Sequence, residues 1–294
     1  MLNTIVLPLD GSRFAESAAP LARSIAAAAN AELHLVLVRE HLPAVGEETY
    51  EELLAWHRKG EDHYLTGAAD RFAPAGRTCA SAILEGDTAE AVAGYAGRHA
   101  ADLIVLGTHG WGAVKRFWLG SVADRLVRQS HIPILLVRPQ EDGTALEEIS
   151  SITVALDRAG FGEAVLPVAV ELALALGLEL HLVHVVQPPL PLDGSAEAYT
   201  VAWDPGVTDS LVAGANEFLS KVAAKVAERG CRVDTRVLVA GLVAESLLEQ
   251  AAASGSILAL ATHADRGIRR VFLGSVTDKV IRGSDSAVLL AHPG

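Results

Sequence analysis

Short apolar runs alternate with longer amphipathic segments along this chain. In the first half the apolar runs predict strands at Thr4–Leu9, Glu32–Val38, Thr78–Leu84, Leu103–Leu106 and Ile134–Val137. The segments between them have helical spacing and predict helices over Phe14–Ala29, Glu48–Phe72, Thr88–His99 and Ser121–Gln129. Continuous apolar strands are typical of a parallel sheet covered by helices on both faces, and right-handed crossovers make such a sheet doubly wound. The pattern therefore predicts an α/β fold.

The same order of elements occurs twice. The stretch "NTIVLPLDGS" from Asn3 is similar to "SSITVALDRA" from Ser150, and "FLGSVTDKVIR" late in the second half is similar to "WLGSVADRLVR" in the first. Internal repetition of this length predicts two domains, 1–140 and 149–294, with the polar, acidic segment Arg138–Glu148 near their junction. We expect two doubly wound parallel sheets of five strands each.

Composition narrows the classes of function. The chain has 294 residues, half of them apolar, and a formal net charge of -12. A general nucleic-acid binder needs a broad basic surface, so this charge argues against one. The mean hydropathy is +0.30, which raises the question of membrane insertion. The most apolar region, Ala164–Val186, contains glutamates and histidines and does not predict a spanning helix.

The cysteines and histidines set further expectations. Cys79 and Cys231 are far apart and have no ligand-like companions, which predicts free thiols and favours a reducing cytosol. The opening "MLNTIVLPLDGSR" has no basic region and predicts no signal peptide. There are 11 histidines, but no HExxH or His-x3-His spacing, so no metal site is predicted. We therefore expect a cytoplasmic protein.

Candidate chemistry is concentrated in "LIVLGTHGWGAVKRFWLGSVADRL". Gly107 ends the fourth strand, Gly110 follows in a loop, and Gly120 with Ser121 opens a helix. Glycine admits positive φ and a close approach of the backbone to a ligand, and the first amides of a helix stabilise a phosphate. Asp10 ends the first strand, where a carboxylate can accept hydrogen bonds from a ribose or an adenine edge. This arrangement indicates a polyphosphate nucleotide; the alternative is that the glycines only form turns.

The spacing G-x2-G-x9-G-[ST] resembles the ATP-binding signature of the universal stress protein family. The stretches "VLPLDGS" and "HLVLV" are similar to that family as well, and the two halves together cover nearly the whole chain. The sequence thus resembles a tandem universal stress protein. The resemblance implies an adenine nucleotide alpha hydrolase-like fold with strand order 3-2-1-4-5. It also implies a nucleotide-dependent stress-response regulator that binds ATP between strands one and four, with an accompanying Mg²⁺ left open.

The resemblance also assigns residues to the nucleotide by position. It implies that the adenosine is bordered by Pro8, Asp10 and Val38, with Leu106 and Gly107 lining the same pocket. It implies that the phosphates are held by Gly110, Gly120, Ser121 and Val122. No catalytic residue is predicted, because the sequence indicates no general base beside the presumed phosphates.

The second half departs from this signature. It retains the matching residues Asp157, Val185, Gly274, Ser275 and Val276. Ala261 and Ala264 replace the two early glycines, and Ala155 replaces the proline of the first strand. If the glycine positions adopt positive φ, alanine costs roughly 1 kcal/mol or more at each. We therefore expect ATP mainly in the first half and weak or absent binding in the second.

Two other classes of function stay open. A nucleotide-independent interaction scaffold would use the glycines only to shape loops. An ATP-using transferase or ligase would need an acid near Ser121, and Asp124 is the nearest in sequence. The chain has no GxxxxGK[ST], GxSxG or GxGxxG motif, so at most slow ATP hydrolysis or autophosphorylation is expected.

The last strand of each half predicts an assembly mode. "ILLV" and "VLLA" are apolar and would form exposed edges, which favour pairing with another strand. Pairing of the two halves would give an intrachain pseudo-dimer, and homodimerisation through a different surface stays open. No nucleic acid or membrane is expected as a partner.

Overall fold

The computed structural model describes residues 1–39, 47–108, 119–138, 149–158, 160–188, 205–262 and 273–293. The chain divides into two compact units, whose described parts are residues 1–138 and 149–293. Each unit alternates strands and helices in the predicted order.

In the first unit the strands are β1 (Thr4–Leu9), β2 (Glu32–Arg39), β3 (Ala80–Glu85), β4 (Leu103–Gly107) and β5 (Ile134–Val137). The helices are α1 (Arg13–Glu16), α2 (Ala19–Ala29), α3 (Glu47–Phe72), α4 (Thr88–Arg98) and α5 (Ser121–Gln129). The strand order is β3-β2-β1-β4-β5, and every pair is parallel. The predicted order 3-2-1-4-5 is confirmed for this unit.

The predicted helix Phe14–Ala29 is wrong in one respect, because it is two helices. Pro20 has no amide hydrogen to donate to the carbonyl of Glu16, so an uninterrupted helix would lose a bond there. The chain ends α1 at Glu16 and begins α2 at Ala19, which puts Pro20 in the first turn of the new helix.

In the second unit the strands are β6 (Ser151–Ala155), β7 (Glu179–Val186), β8 (Val233–Val239), β9 (Ser256–Ala261) and β10 (Val288–Ala291). A 3-10 helix (Phe161–Val165) stands where the first unit has α1. The α-helices are α6 (Leu166–Leu176), α7 (Pro205–Ala227), α8 (Val243–Ala253) and α9 (Ser275–Gly283). Its parallel strands follow the order β8-β7-β6-β9-β10, which is the same topology.

The core of each unit follows from the apolar strands. The central strands are almost completely buried, as Ile5, Leu35 and Ile104 in the first unit and Ile152 in the second illustrate. Burial of these side chains on both sheet faces is the main favourable contribution to folding. No helix among the described residues combines the length and apolar character needed to cross a bilayer.

A buried histidine recurs at the same place in both sheets, but its surroundings differ. His34 of β2 is hydrogen-bonded through Nδ1 to the hydroxyl of Tyr95 on α4 at 3.0 Å. In the second unit the corresponding residues are His181 and Gln250. Within the described part of the chain, His181 Nδ1 and Gln250 Nε2 are buried without a hydrogen-bond partner. The first unit therefore satisfies a polar pair that the second leaves unsatisfied.

Candidate nucleotide-binding site

The residues assigned to the adenosine meet at one edge of the first sheet. Strands β2, β1 and β4 are parallel neighbours, so their carboxyl ends lie at the same edge. The residues found there are Pro8 in β1, Asp10 directly after it, Val38 near the end of β2, and Leu106 and Gly107 at the end of β4. The winding of the sheet reverses between β1 and β4, which is where doubly wound sheets bind ligands.

Asp10 begins a tight turn that leads into α1. The Ser12 amide donates a hydrogen bond to Asp10 Oδ1 at 2.9 Å, and the Ala15 amide donates to Ser12 Oγ at 3.1 Å. Gly11 has a φ of +80°, a conformation that residues with side chains rarely adopt. Asp10 is exposed. Short-range bonds therefore hold its carboxylate at the rim of the sheet edge.

Steric crowding explains why residue 107 is a glycine, without any ligand. A Cβ at this position would lie 2.5 Å from the carbonyl oxygen of Phe14 and 3.5 Å from the Cα of Ala15. The backbone of α1 thus packs directly against the last residue of β4. Gly107 does not use the positive φ that glycine allows, because it lies in a strand and outside the left-handed region. Close approach of the backbone excludes a side chain.

Helix α5 begins beside the end of β4. The Gly120 amide donates to the carbonyl oxygen of Thr108 at 2.7 Å, and this bond returns the chain to the sheet edge. Gly120 has a φ of -64°, so a positive φ is not needed here either. Its amide is engaged, whereas helix geometry leaves the Ser121 and Val122 amides without an acceptor inside α5. Gly110 lies outside the described residues.

Charged side chains surround this edge at the ends of β2 and β3. Arg39 Nε donates to Glu61 Oε2 at 2.7 Å, and its Nη1 donates to Glu85 Oε1 at 3.1 Å. Arg39 and Glu61 are mostly buried side chains, whereas Glu85 is exposed. Arg39, which lies in β2, therefore connects α3 with β3.

A second arginine connects the N-cap of α4 with the second turn of α5. Asp87 caps α4, where its Oδ1 accepts a hydrogen bond from the Glu90 amide at 3.2 Å. Its Oδ2 accepts from Arg125 Nη1 at 2.5 Å. The hydrogen bond from Arg125 holds the pKa of Asp87 below its usual value. Sequence reasoning did not single out Arg125; the available signal was its position four residues after Ser121.

The short helix α1 is fixed from its outer side. The Tyr64 hydroxyl donates to Glu16 Oε1 at 2.9 Å, and Arg71 Nη2 donates to the same oxygen at 2.6 Å. Burial, with the hydrogen bond to Glu16, raises the pKa of Tyr64. Helix α3 thus holds α1 against β4, which explains how a helix of four residues keeps a fixed position.

The turn after β6 in the second unit takes a different course. Asp157 Oδ1 accepts a hydrogen bond from the Gly162 amide at 3.0 Å, five residues along the chain. Arg158 stands where the first unit has Gly11, and a Cβ on Gly214 of α7 would lie 3.3 Å from its Nη1. The carboxylate that matches Asp10 is therefore turned toward the 3-10 helix.

The position that is too crowded for a side chain also differs between the two units. Ala261 ends β9 and keeps its methyl group, whereas Gly162 in the 3-10 helix is the crowded position. A Cβ on Gly162 would lie 2.9 Å from the Asp157 amide nitrogen and 3.1 Å from the Ala155 carbonyl oxygen. The alanine at 261 therefore reflects a changed turn, and it is not strained in φ.

The helix start of the second unit retains its sequence but changes its backbone. Gly274 precedes α9 with a φ of +74°, in contrast to the value of -64° at Gly120. Ser275 is exposed and Val276 is partly buried. Val185 occupies in β7 the place that Val38 has in β2. Ala264 lies outside the described residues.

Metal ligands do not converge in the part of the chain that the structure describes. Within it, no group of three or more histidine, cysteine, aspartate or glutamate side chains is arranged to hold a metal ion.

Comparisons with known proteins agree with this topology. The model of the universal stress protein family matches residues 1–138 and 148–292. A universal stress protein of Thermus aquaticus is 38% identical over 145 residues, which are 47% of this chain and all of that protein. One of Methanocaldococcus jannaschii is 35% identical over 141 residues, which are 47% of this chain and 83% of that protein.

A solved structure of a universal stress protein from Archaeoglobus fulgidus aligns over the whole length of both chains. Its TM-score is 0.69 at 18% sequence identity, which supports the fold alone. The family match covers both halves of the chain separately, in agreement with the internal repeat. The chain belongs to the universal stress protein family and carries two copies of its domain.

Proposed function

We propose that the first unit binds ATP at the carboxyl edge of β1 and β4, and that the protein is a cytoplasmic stress-response regulator whose state depends on this nucleotide. The observation that carries the proposal is that Asp10, Gly107 and the start of α5 share one sheet edge. Gly107 and the start of α5 belong to the signature that resembles the family's ATP-binding motif, and Asp10 belongs to the stretch "VLPLDGS" that is also similar to the family. We take 1–140 and 149–294 as the domain limits.

In this proposal each group at the edge has a chemical role. The Asp10 carboxylate accepts hydrogen bonds from the ribose, and Pro8, Val38 and Leu106 provide apolar contacts for the adenine. The amides of Ser121 and Val122, with the Ser121 hydroxyl, donate to phosphate oxygens, because helix starts stabilise anions. Gly120 shapes the helix start, since its own amide donates to Thr108.

We expect the second unit to bind ATP weakly or not at all. The turn after β6 follows a different course, because Asp157 accepts from an amide five residues on and Arg158 replaces the glycine of the first unit's tight turn. The weaker set of candidates there is Asp157, Val185, Gly274, Ser275 and Val276. One nucleotide per chain is the expected stoichiometry.

Turnover is not part of the proposal. Asp10, the carboxylate assigned to the first unit's site, is given to the ribose, and Asp124 is paired with Arg128 within α5 at 3.0 Å. Mg²⁺, if it accompanies ATP, would be held mainly by the phosphates and would neutralise part of their charge. Pairing of the two halves along their fifth strands, and any homodimer, stay predictions.

The test is isothermal titration of ATP into the wild-type chain and Gly120→Val. The backbone at Gly120 is accessible to valine, so the fold should survive, while the branched side chain occupies space at the phosphate end. We expect wild-type binding at one site per chain and no measurable binding in the variant. Unchanged thermal unfolding without nucleotide is the control, and equal affinity in both proteins would contradict the proposal.

A nucleotide-independent scaffold is the second candidate, and one observation favours it. Gly107 is explained by the approach of the Phe14 carbonyl oxygen without any ligand. This alternative predicts no nucleotide in mass spectra of material released from freshly purified protein. It also predicts no shift of the unfolding temperature by ATP.

A further inference from the structure

We propose that Arg125 makes the first unit distinguish nucleotides by their number of phosphates, by exchanging its bond with Asp87 for one with the terminal phosphate. This inference rests on the proposed function, because it needs a nucleotide at the start of α5. It adds a specificity residue that lies outside the glycine signature.

The helix geometry directs Arg125 toward the phosphate end. Residues four apart lie on the same face of a helix, so Arg125 is one turn beyond Ser121 on one stripe of α5. Side chains on a helix lean toward its amino end, and arginine is long enough to span one turn. The guanidinium therefore reaches back toward the first turn, where the proposed phosphates lie.

The bond with Asp87 can be released without unfolding α4. The two carboxylate oxygens of Asp87 have separate tasks, since Oδ1 accepts from the Glu90 amide and Oδ2 accepts from Arg125. Departure of Arg125 leaves the helix cap in place. The Asp87 side chain then remains a good cap for α4.

The energetic balance favours exchange when a phosphate is present. The Arg125 and Asp87 side chains are 43% and 37% exposed, and ion pairs with this exposure contribute little to stability. A phosphate group offers more charge and several acceptor oxygens, and the planar guanidinium can bind two of them at once. Glu90 Oε1, 3.9 Å from Arg125 Nη2, competes only weakly.

The second unit lacks this device. Lys279 stands in place of Arg125 and lies 4.0 Å from Glu245, and Leu242 stands in place of Asp87. An ammonium group binds phosphate as a point charge and has no planar fork. The arginine and its releasable partner therefore occur together in the unit that keeps the full glycine signature.

The experiment compares adenosine, AMP, ADP and ATP by isothermal titration with wild type, Arg125→Gln, Asp87→Asn and Arg128→Gln. Arg128 is a matched control, because it lies two turns beyond Ser121 and pairs with Asp124 inside α5. We expect Arg125→Gln to weaken ATP binding about tenfold while adenosine and AMP are unchanged. Arg128→Gln should bind all four ligands like the wild type.

Asp87→Asn provides the test of opposite sign. Asparagine still caps α4 but no longer holds Arg125 by charge, so ATP affinity should rise about threefold. Loss of affinity in this variant, or equal weakening of all four ligands in Arg125→Gln, would mean that the pair only clamps two helices. If wild type binds none of the ligands, the proposed function itself fails; if ATP binds more tightly than adenosine by the same factor in wild type and in Arg125→Gln, only this inference fails.

Discussion

The carboxyl edges of the two sheets carry opposite chemistry on the same topology. In the first unit, Arg39 of β2 pairs in register with Glu85 of β3, and both are charged. In the second unit the equivalent pair is Val186 and Val239, and Val239 is 50% exposed. The cap of α4 is Asp87, whereas the corresponding residue before α8 is Leu242, which is 60% exposed and makes no side-chain cap.

The difference shows that one set of residues specifies the fold and another set, the side chains beyond the carboxyl ends of the strands, forms the rim of the sheet. The strand order, the parallel register and the buried apolar strands are shared by both units. The side chains beyond the strand ends are not needed to form the sheet, so they can change sign or lose charge without altering it. The rim is therefore the place where two copies of one fold can acquire different ligands.

The largest expected effect is at the junction of α1 and β4. Gly107→Ala puts a methyl group 2.5 Å from the Phe14 carbonyl oxygen, and the neighbour is backbone that moves only with α1. We expect a loss of about 1–3 kcal/mol in the free energy of unfolding, measured by urea denaturation. The matched change in the second unit, Ala261→Gly, should lose only about 0.5–1 kcal/mol, because it removes a tolerated methyl group. Equal losses in the two variants would contradict the steric explanation.

The buried histidines give the next contrast. Tyr95→Phe removes the hydroxyl that is bonded to His34 and should cost about 1 kcal/mol in thermal unfolding. Gln250→Leu removes an amide nitrogen that has no partner in the described part of the second unit. That change should be neutral or stabilising, since it deletes a buried unsatisfied group. A large loss in Gln250→Leu would show that the amide has a partner in solution, such as an ordered water.

A smaller effect is expected at the two helix starts. Ser121→Ala removes one hydroxyl donor from the proposed phosphate end and should weaken ATP binding about fivefold in titration calorimetry. Ser275→Ala is the same change in the second unit and should leave the affinity and the stoichiometry unaltered. Equal weakening by both substitutions would place nucleotide in both units and remove the functional contrast.

The smallest effect concerns acid stability. The hydrogen bond from Arg125 lowers the pKa of Asp87 in the folded protein. The ionised Asp87 side chain therefore stabilises the fold above the pKa that it has in the unfolded chain, and this stabilisation is lost as the pH falls through the pKa of the folded state. Asp87→Asn should lose the same stability as it does at pH 7 down to about pH 5, and the difference from wild type should shrink below about pH 4. Because Asp87 is solvent-exposed, the effect is small, and thermal unfolding across that range would measure it. A difference that grows on acidification would contradict the assignment.

Periodicity was sufficient to predict the strands and helices of the first unit, and the internal repeat extended them to the second. Apolar runs and amphipathic segments are local features, and the order 3-2-1-4-5 followed from the family resemblance of short motifs. The helix over 14–29 was predicted as one piece because its amphipathic spacing continues through Pro20, and only the missing amide hydrogen divides it.

The candidate edge was predictable by position, but the reasons for its residues were not. Asp10 and Ser121 follow from motif spacing, whereas the contact of Gly107 with Phe14 depends on how α1 packs. The Arg125–Asp87 pair joins residues that are 38 positions apart in the sequence, and no local sequence pattern predicts it. Side-chain partners across elements are set by packing geometry, which a single sequence does not contain.

The hydrogen bond from Gly120 to Thr108 has an implication for engineering. It fixes the entry and the exit of segment 109–118 at a common anchor on the sheet edge. The entropy of closing a loop increases only slowly with its length. Sequences of different length should therefore be exchangeable between Thr108 and Gly120. Such an exchange should leave the start of α5 in place, so ligand recognition could be altered without changing the fold.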